Sequence, residues 1–98
     1  MPSVRIEHER ESGRGWTYDV LVERPDAPPT RHQVGLSFAD YEHWSHGVTR
    51  PEEVMRALVL CALRTGRFAP GGLLPPRFDA ATVRRYVPDL DRHMQRAE

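Results

Sequence analysis

Apolar and polar residues alternate along most of the first 36 positions and then recur at three- and four-residue spacing. Val4, Ile6 and His8 alternate with Arg5, Glu7 and Glu9, the period of a half-buried strand. Ser12–Gly15, with two glycines in four residues, reads as a turn. Trp16, Tyr18, Val20 and Val22 alternate with Thr17, Asp19 and Leu21, an aromatic and β-branched face that predicts the strongest strand. The Arg24–Pro29 segment holds three prolines and predicts a stiff loop, because proline cannot donate to a ladder. His32, Val34 and Leu36 then alternate with Gln33 and Gly35. The three segments predict an antiparallel meander with connections at 11–15 and 24–30.

From Ser37 onward the period changes. Ser37 and Asp40 have the spacing of a helix start, and Phe38, Tyr41 and Trp44 recur at helical intervals, so a short helix is expected at about 38–45, stopped by Gly47. Thr49 and Glu52 form a Thr-x-x-Glu capping box with Pro51 in the first turn, Arg64 in the last turn and Gly66 beyond it. A helix over about 50–65 follows. Val54, Leu58, Cys61 and Ala62 make one apolar stripe and Met55, Val59 and Leu63 another, so the helix is apolar nearly all round towards its C-terminal end. Such a helix is covered on every side. A three-stranded sheet can cover one face, and the second face is assigned to a partner. Phe68–Pro76 reads as a loop pinned by Leu73 and Leu74. Asp79, Val83, Tyr86 and Val87 predict a last helix over about 80–95 that Pro88 interrupts or restarts.

Composition narrows the class of partner. The 98 residues fit one domain over 1–98, with 39% hydrophobic and 29% charged residues, a globular balance. Fourteen basic and fourteen acidic residues cancel, so net charge does not indicate nucleic acid or an anionic membrane. All fourteen bases are arginine, which we read as codon bias from a GC-rich genome. One cysteine permits no internal disulfide. The first residues lack the apolar core of a signal peptide, and the longest apolar run is the seven residues Ala57–Leu63. A cytoplasmic protein with no membrane span is expected.

Candidate chemistry is sparse. His43 and His46 share a helical face beside Trp44 but lack two further metal ligands. His8 and His32, on different strands, read as partly buried strand histidines. Cys61 sits in an apolar helix, which disfavours the thiolate, and reads as core. No serine sits in a Gly-x-Ser-x-Gly elbow, and Gly71-Gly72 has no phosphate-cradle spacing. Glu7, Glu9, Glu11, Asp19 and Glu23 read as the solvated outer face of the sheet. Arg84, Arg85 and Arg92 form a basic side near the C-terminus, the one local charge bias and a candidate anion patch. No catalytic residue, metal or cofactor is implied.

Two stretches resemble known families. Thr30–Gly66, reading strand, short helix and capped longer helix, resembles ribbon-helix-helix repressors and antitoxins. That resemblance implies a strand paired across a dimer, with Arg31, Gln33 and Gly35, or His32 on the opposite face, reading bases, and the start of the second helix near a phosphate. His32-Gln33-Val34, Pro51–Leu63 and Phe78–Asp89 together are similar to small bacterial proteins of unknown function, which imply no activity and no site residue.

The pattern as a whole predicts an α+β fold: a three-stranded antiparallel sheet followed by, and packed against, two to three helices. The function expected is a non-catalytic interaction or regulatory module that self-associates or takes a protein partner through the 50–65 region. Phe38, Tyr41, Trp44, Met55, Val59 and Leu63 are its contact residues. A ribbon-helix-helix-like DNA-binding regulator is the alternative, and a small enzyme or metal protein ranks last.

Overall fold

A computed structural model describes residues 2–45, 49–65 and 74–97, as backbone alone from 95. The element order is β1 (Ser3–Ser12), β2 (Gly15–Arg24), β3 (Ala27–Ser37), α1 (Phe38–Ser45), α2 (Pro51–Thr65), β4 (Arg77–Asp79), α3 (Ala80–Tyr86) and α4 (Leu90–Ala97). The class is α+β, but the sheet has four strands in the order β1-β2-β3-β4 and is mixed. The first three strands form the expected antiparallel meander. The fourth pairs parallel to β3, Gln33 to Arg77, Val34 to Phe78 and Gly35 to Asp79. A parallel neighbour requires a long crossover, which α1 and α2 supply. Three residues carry too short an alternation to announce a strand, so β4 escapes a reading by period.

Pro28 and Pro29 lie inside β3 and not in a loop. The register passes from Val22↔Thr30 to Arg24↔Ala27, so the two prolines oppose Glu23 alone. A bulge is where a strand tolerates residues that donate no ladder bond. The connection between β2 and β3 shrinks to Pro25 and Asp26.

All helices pack on one face of the sheet. Tyr18, Val20 and Val22 from β2, His32, Val34 and Leu36 from β3, and Phe78 from β4 are buried beneath them. His32 is held at both ring nitrogens: Nδ1 donates to the Pro75 carbonyl at 2.7 Å, which leaves Nε2 to accept from the Thr30 hydroxyl at 2.8 Å. That pair, with Gln33 N–H donating to the Pro76 carbonyl at 2.8 Å, ties the entry of β4 to β3. His8 lies on the other side of the sheet, exposed, so the two strand histidines do not meet.

The outer face of the sheet is covered by none of the described helices and is laced with ion pairs. Arg10 grips Asp19 with two bonds of 2.9 and 3.0 Å, Arg31 reaches across β2 to Glu7 at 3.2 Å, and Arg5 meets Glu23 at 3.5 Å. The Arg10 hydrogen bonds hold the Asp19 carboxyl below its ordinary pKa. Leu21 opposes Arg5 on one side and Arg31 on the other and is nonetheless buried, at positions where long arginine stems can cover an apolar side chain.

Helix α2 is central, as its all-round apolar pattern requires, but its second face is filled from within the chain. Val54, Met55, Leu58, Val59, Cys61 and Ala62 are all buried, in one cluster with Trp44, Val83, Leu90 and Met94. Helix α2 touches β1 on one side and α4 and α1 on others. The polar composition of α4 hides this role: among its described side chains only Leu90 and Met94, four residues apart, reach the core. The helix expected over 80–95, with Pro88 interrupting or restarting it, is two helices parted at Val87-Pro88-Asp89, so the sheet packs against four helices and not two to three. At the start of α2 the Arg50 carbonyl accepts the N–H groups of Glu53 and Val54, and the Glu52 carboxylate takes the Arg50 guanidinium at 3.1 Å, so Glu52 is spent on an ion pair. The Ser37 cap of α1 is formed as expected, its hydroxyl accepting the Asp40 N–H at 3.1 Å. The expected roles of His46, Gly47, Gly66, Phe68, Gly71-Gly72 and Leu73 lie outside the described residues.

Candidate functional site

A bulge in β1 rearranges the side chains of its distal half. The register runs Val4↔Val22 and Ile6↔Val20, then slips so that Glu9 faces Tyr18 and Glu11 faces Trp16. Cross-strand partners share a face. Below the bulge the even-numbered residues of β1 therefore point under the helices, and above it the odd-numbered ones do. This corrects the assignment of Glu9 and Glu11 to the outer surface. They stand on the helix side of the sheet, at the end where helix cover gives out, and both are exposed.

Three aromatic rings meet at that end. Trp16 packs edge-to-face on Phe38 at 4.9 Å and on Tyr41 at 5.2 Å between ring centroids. Phe38 opens α1 and is anchored through its backbone, its N–H donating to the Arg14 carbonyl at 2.9 Å. Its ring stays 38% exposed, and Trp16 and Tyr41 are half-buried. The Tyr41 hydroxyl donates to the Thr49 carbonyl at 2.6 Å, fixing the ring against the approach to α2. Tyr18, deeper in the sheet, donates its hydroxyl to Glu9 Oε1 at 2.6 Å. Burial first, and then the Glu9 carboxylate, push the Tyr18 phenol far above its ordinary pKa, so it stays a neutral donor.

A crevice of about 340 Å³ adjoins the rings, with Trp16 in its wall. It lies where β3 runs into α1 and β4 into α3, lined by Ser12, Arg14, Ser37, Asp40 and Asp79 among others. The Asp79 side chain lies in the space that a Cβ at Gly35 would take, so the missing side chain of Gly35 admits it. Asp79 precedes α3 but makes no side-chain cap.

The other sequence-predicted residues separate into two groups. Trp44, Met55 and Val59 are interior, and Leu63 is packed against the core. Of the six contact residues read from the sequence, Phe38 and Tyr41 come together at the surface, where they are joined by Trp16, assigned to the sheet core by its alternation. Arg84 is not available to an anion. It binds Asp40 at 3.2 Å and Asp91 at 3.3 Å and lies 5.0 Å above the Trp44 ring. Asp91 also accepts from Trp44 Nε1 at 2.7 Å and from His43 Nε2 at 3.0 Å. Burial raises the Asp91 pKa, and the bonds from Trp44 and His43 with the Arg84 charge outweigh it and hold the carboxyl below its ordinary value. This network joins α1, α3 and α4 as a strut. Arg85 and Arg92 remain exposed.

The ribbon-helix-helix arrangement is not available to β3, which has β2 on one edge and β4 on the other. Among the described residues no three or more His, Cys, Asp or Glu side chains are grouped to hold a metal ion, and no helix is long and apolar enough to cross a membrane. Compared with models of known protein families, with curated proteins and with solved structures, the chain matches none.

Proposed function

We propose that this protein is a non-catalytic, cytoplasmic interaction module that associates with itself through the aromatic corner of Trp16, Phe38 and Tyr41. The observation that carries the reading is the exposure of Phe38 against Trp16, the central ring of an edge-to-face aromatic group, on a rim left open among the described residues. Rigid aromatics present large contact area at small entropic cost and are the residues that dominate protein interfaces. The contact surface moves from α2, whose faces are filled by the chain's own core, to the end of the sheet beside α1. Because the corner is small, the association is weak and reversible, below the size of a standard interface.

The test is sedimentation velocity from about 10 µM to about 1 mM, a range suited to a contact smaller than the standard class. The wild-type weight-average mass is expected to rise with concentration. Phe38→Glu, a change at an exposed position that should leave the circular dichroism spectrum and melting intact, is expected to hold the protein at the monomer mass throughout. A wild-type chain that stays monomeric over the whole range contradicts the proposal.

A further inference from the structure

Ion pairing across this molecule is uneven, and the unevenness has a pattern. On the outer face of the sheet Glu7, Asp19 and Glu23 each have an arginine. Around the aromatic corner the acids have none: among the described residues no cation is paired with Glu9, with Glu11 or with Glu42, which follows Phe38 by one helical turn. Arg10, between Glu9 and Glu11, is taken by Asp19, and Arg14, two residues before Trp16, lines the crevice with Asp40 and Asp79. The corner is thus apolar at its centre and acidic at its rim.

The opposite arrangement occurs where α3 passes into α4. There the acids are consumed internally, Asp91 by Arg84, Trp44 and His43, and Asp89 by His93 at 3.2 Å. Arg85 and Arg92 are exposed and have no acid partner among the described residues, and Tyr86 between them is 57% exposed. One surface offers an aromatic centre with surplus negative charge, and the stretch from Arg85 to Arg92, eight residues long in sequence, offers an aromatic ring with surplus positive charge. The two patches are opposite in sign, so a chain of net charge zero still carries complementary surfaces.

We infer that the partner seated on the aromatic corner is a second copy of this chain, and that it presents the α3–α4 surface with Arg85, Tyr86 and Arg92. The contact is head-to-tail. Each copy uses two different patches, so association does not stop at a two-fold dimer and proceeds to a ring or an open chain. Arginine over an aromatic face adds cation–π attraction to the charge match, and the exposed charges make the contact sensitive to salt. The inference rests on the self-association proposed above and adds which surface the corner takes.

Complementary inactivation tests it directly. Phe38→Glu abolishes the corner, and the pair Arg85→Glu with Arg92→Glu abolishes the opposite patch. Each protein alone is expected to sediment as a monomer and to keep the wild-type circular dichroism spectrum. Mixed in equal amounts, they retain one intact corner and one intact basic patch between them, and a one-to-one dimer is expected that weakens at least tenfold when salt is raised from low to molar concentration. If the wild type associates and Phe38→Glu is monomeric, but the double variant associates like the wild type or the mixture stays monomeric, the head-to-tail contact is overturned while the aromatic corner stands. If the wild type does not associate, both fall.

Discussion

Trp44→Ala is expected to destabilise the fold by about 3–5 kcal/mol, the cost of deleting a large aromatic from a packed core. In a domain of this length such a loss lowers the melting temperature by at least about 12 °C and takes a large part of the total stability. Trp44 is 1% exposed and is held from two directions. Its indole N–H donates to Asp91 on α4, and Arg84 on α3 lies over its face. Removing it opens a cavity between α1, α2 and α4 and releases the strut that keeps α4 on α2. Asp91→Ala attacks the same strut from its polar end. It leaves the buried indole N–H without an acceptor, at a cost of about 1–3 kcal/mol. The carboxyl of Asp91 is held below its ordinary pKa in the folded chain. An acid of that kind stabilises above its unfolded pKa and loses the contribution as the pH falls through the folded value. The stability difference between wild type and Asp91→Ala is therefore expected in full at neutral pH and to shrink below about pH 4, the ordinary carboxylate range. Urea unfolding at neutral and acid pH measures both effects. A Trp44→Ala protein that melts within a few degrees of wild type would remove the strut from the account.

Gly15→Ala carries the second large effect, and Gly13→Ala, two residues away, is its control. A Cβ at Gly15 would run into the Leu36 carbonyl oxygen and lie 2.8 Å from Ser37 Cα and 2.9 Å from the Leu36 carbonyl carbon. These are backbone atoms of the neighbouring strand and cannot rotate away. The start of β2 must part from the end of β3, at a cost of about 1–3 kcal/mol or more. Gly15 precedes Trp16, and Ser37 precedes Phe38, so the same displacement separates the rings of the corner. A Cβ at Gly13 meets nothing within 4 Å, and its substitution should stay within about 0.5 kcal/mol of wild type. Comparable melting of the two variants would show that the close approach of β2 to β3 does not constrain the hairpin.

Much of the fold can be read in the sequence because most of its rules are local. The alternation at Trp16–Val22 and His32–Leu36 places β2 and β3, the Ser37 cap and the Phe38–Tyr41–Trp44 spacing place α1, and the apolar circumference of Val54–Leu63 places α2 at the centre. The sequence leaves one element unannounced. Arg77-Phe78-Asp79 becomes a strand only because β3 offers an edge and the Pro75 and Pro76 carbonyls are caught by His32 and Gln33. The cover on α2 was equally hidden, since α4 is polar at five of its eight positions and buries Leu90 and Met94 alone among its described side chains.

The candidate site was legible in part for the same reason. Phe38 and Tyr41 stand out by spacing on a short helix with too many rings for its length. Trp16 does not, because strand alternation assigns it to the core beside Tyr18. Glu9 and Glu11 were concealed by the bulge after Ile6, a one-residue slip that sends each following side chain to the opposite face. The signal that could have exposed it is the run from Glu7 to Glu11, in which strict alternation would place His8 in the core and leave Arg10 there as well. A strand that would bury a histidine and an arginine in succession calls for a change of register.

The two tryptophans make the most direct test of the aromatic corner, because one sits in it and the other does not. In a nitrogen–proton spectrum of the labelled protein, the indole signal of Trp16 and that of Trp44 can be assigned by single Trp→Phe variants and followed through a dilution series. The account predicts that the Trp16 indole shifts progressively with concentration, that the Trp44 indole, buried against Asp91, stays in place, and that Phe38→Glu freezes the Trp16 signal at its dilute position. A Trp16 signal that is unchanged across the same range while the protein sediments as an oligomer would contradict the account, since association would then run through another surface.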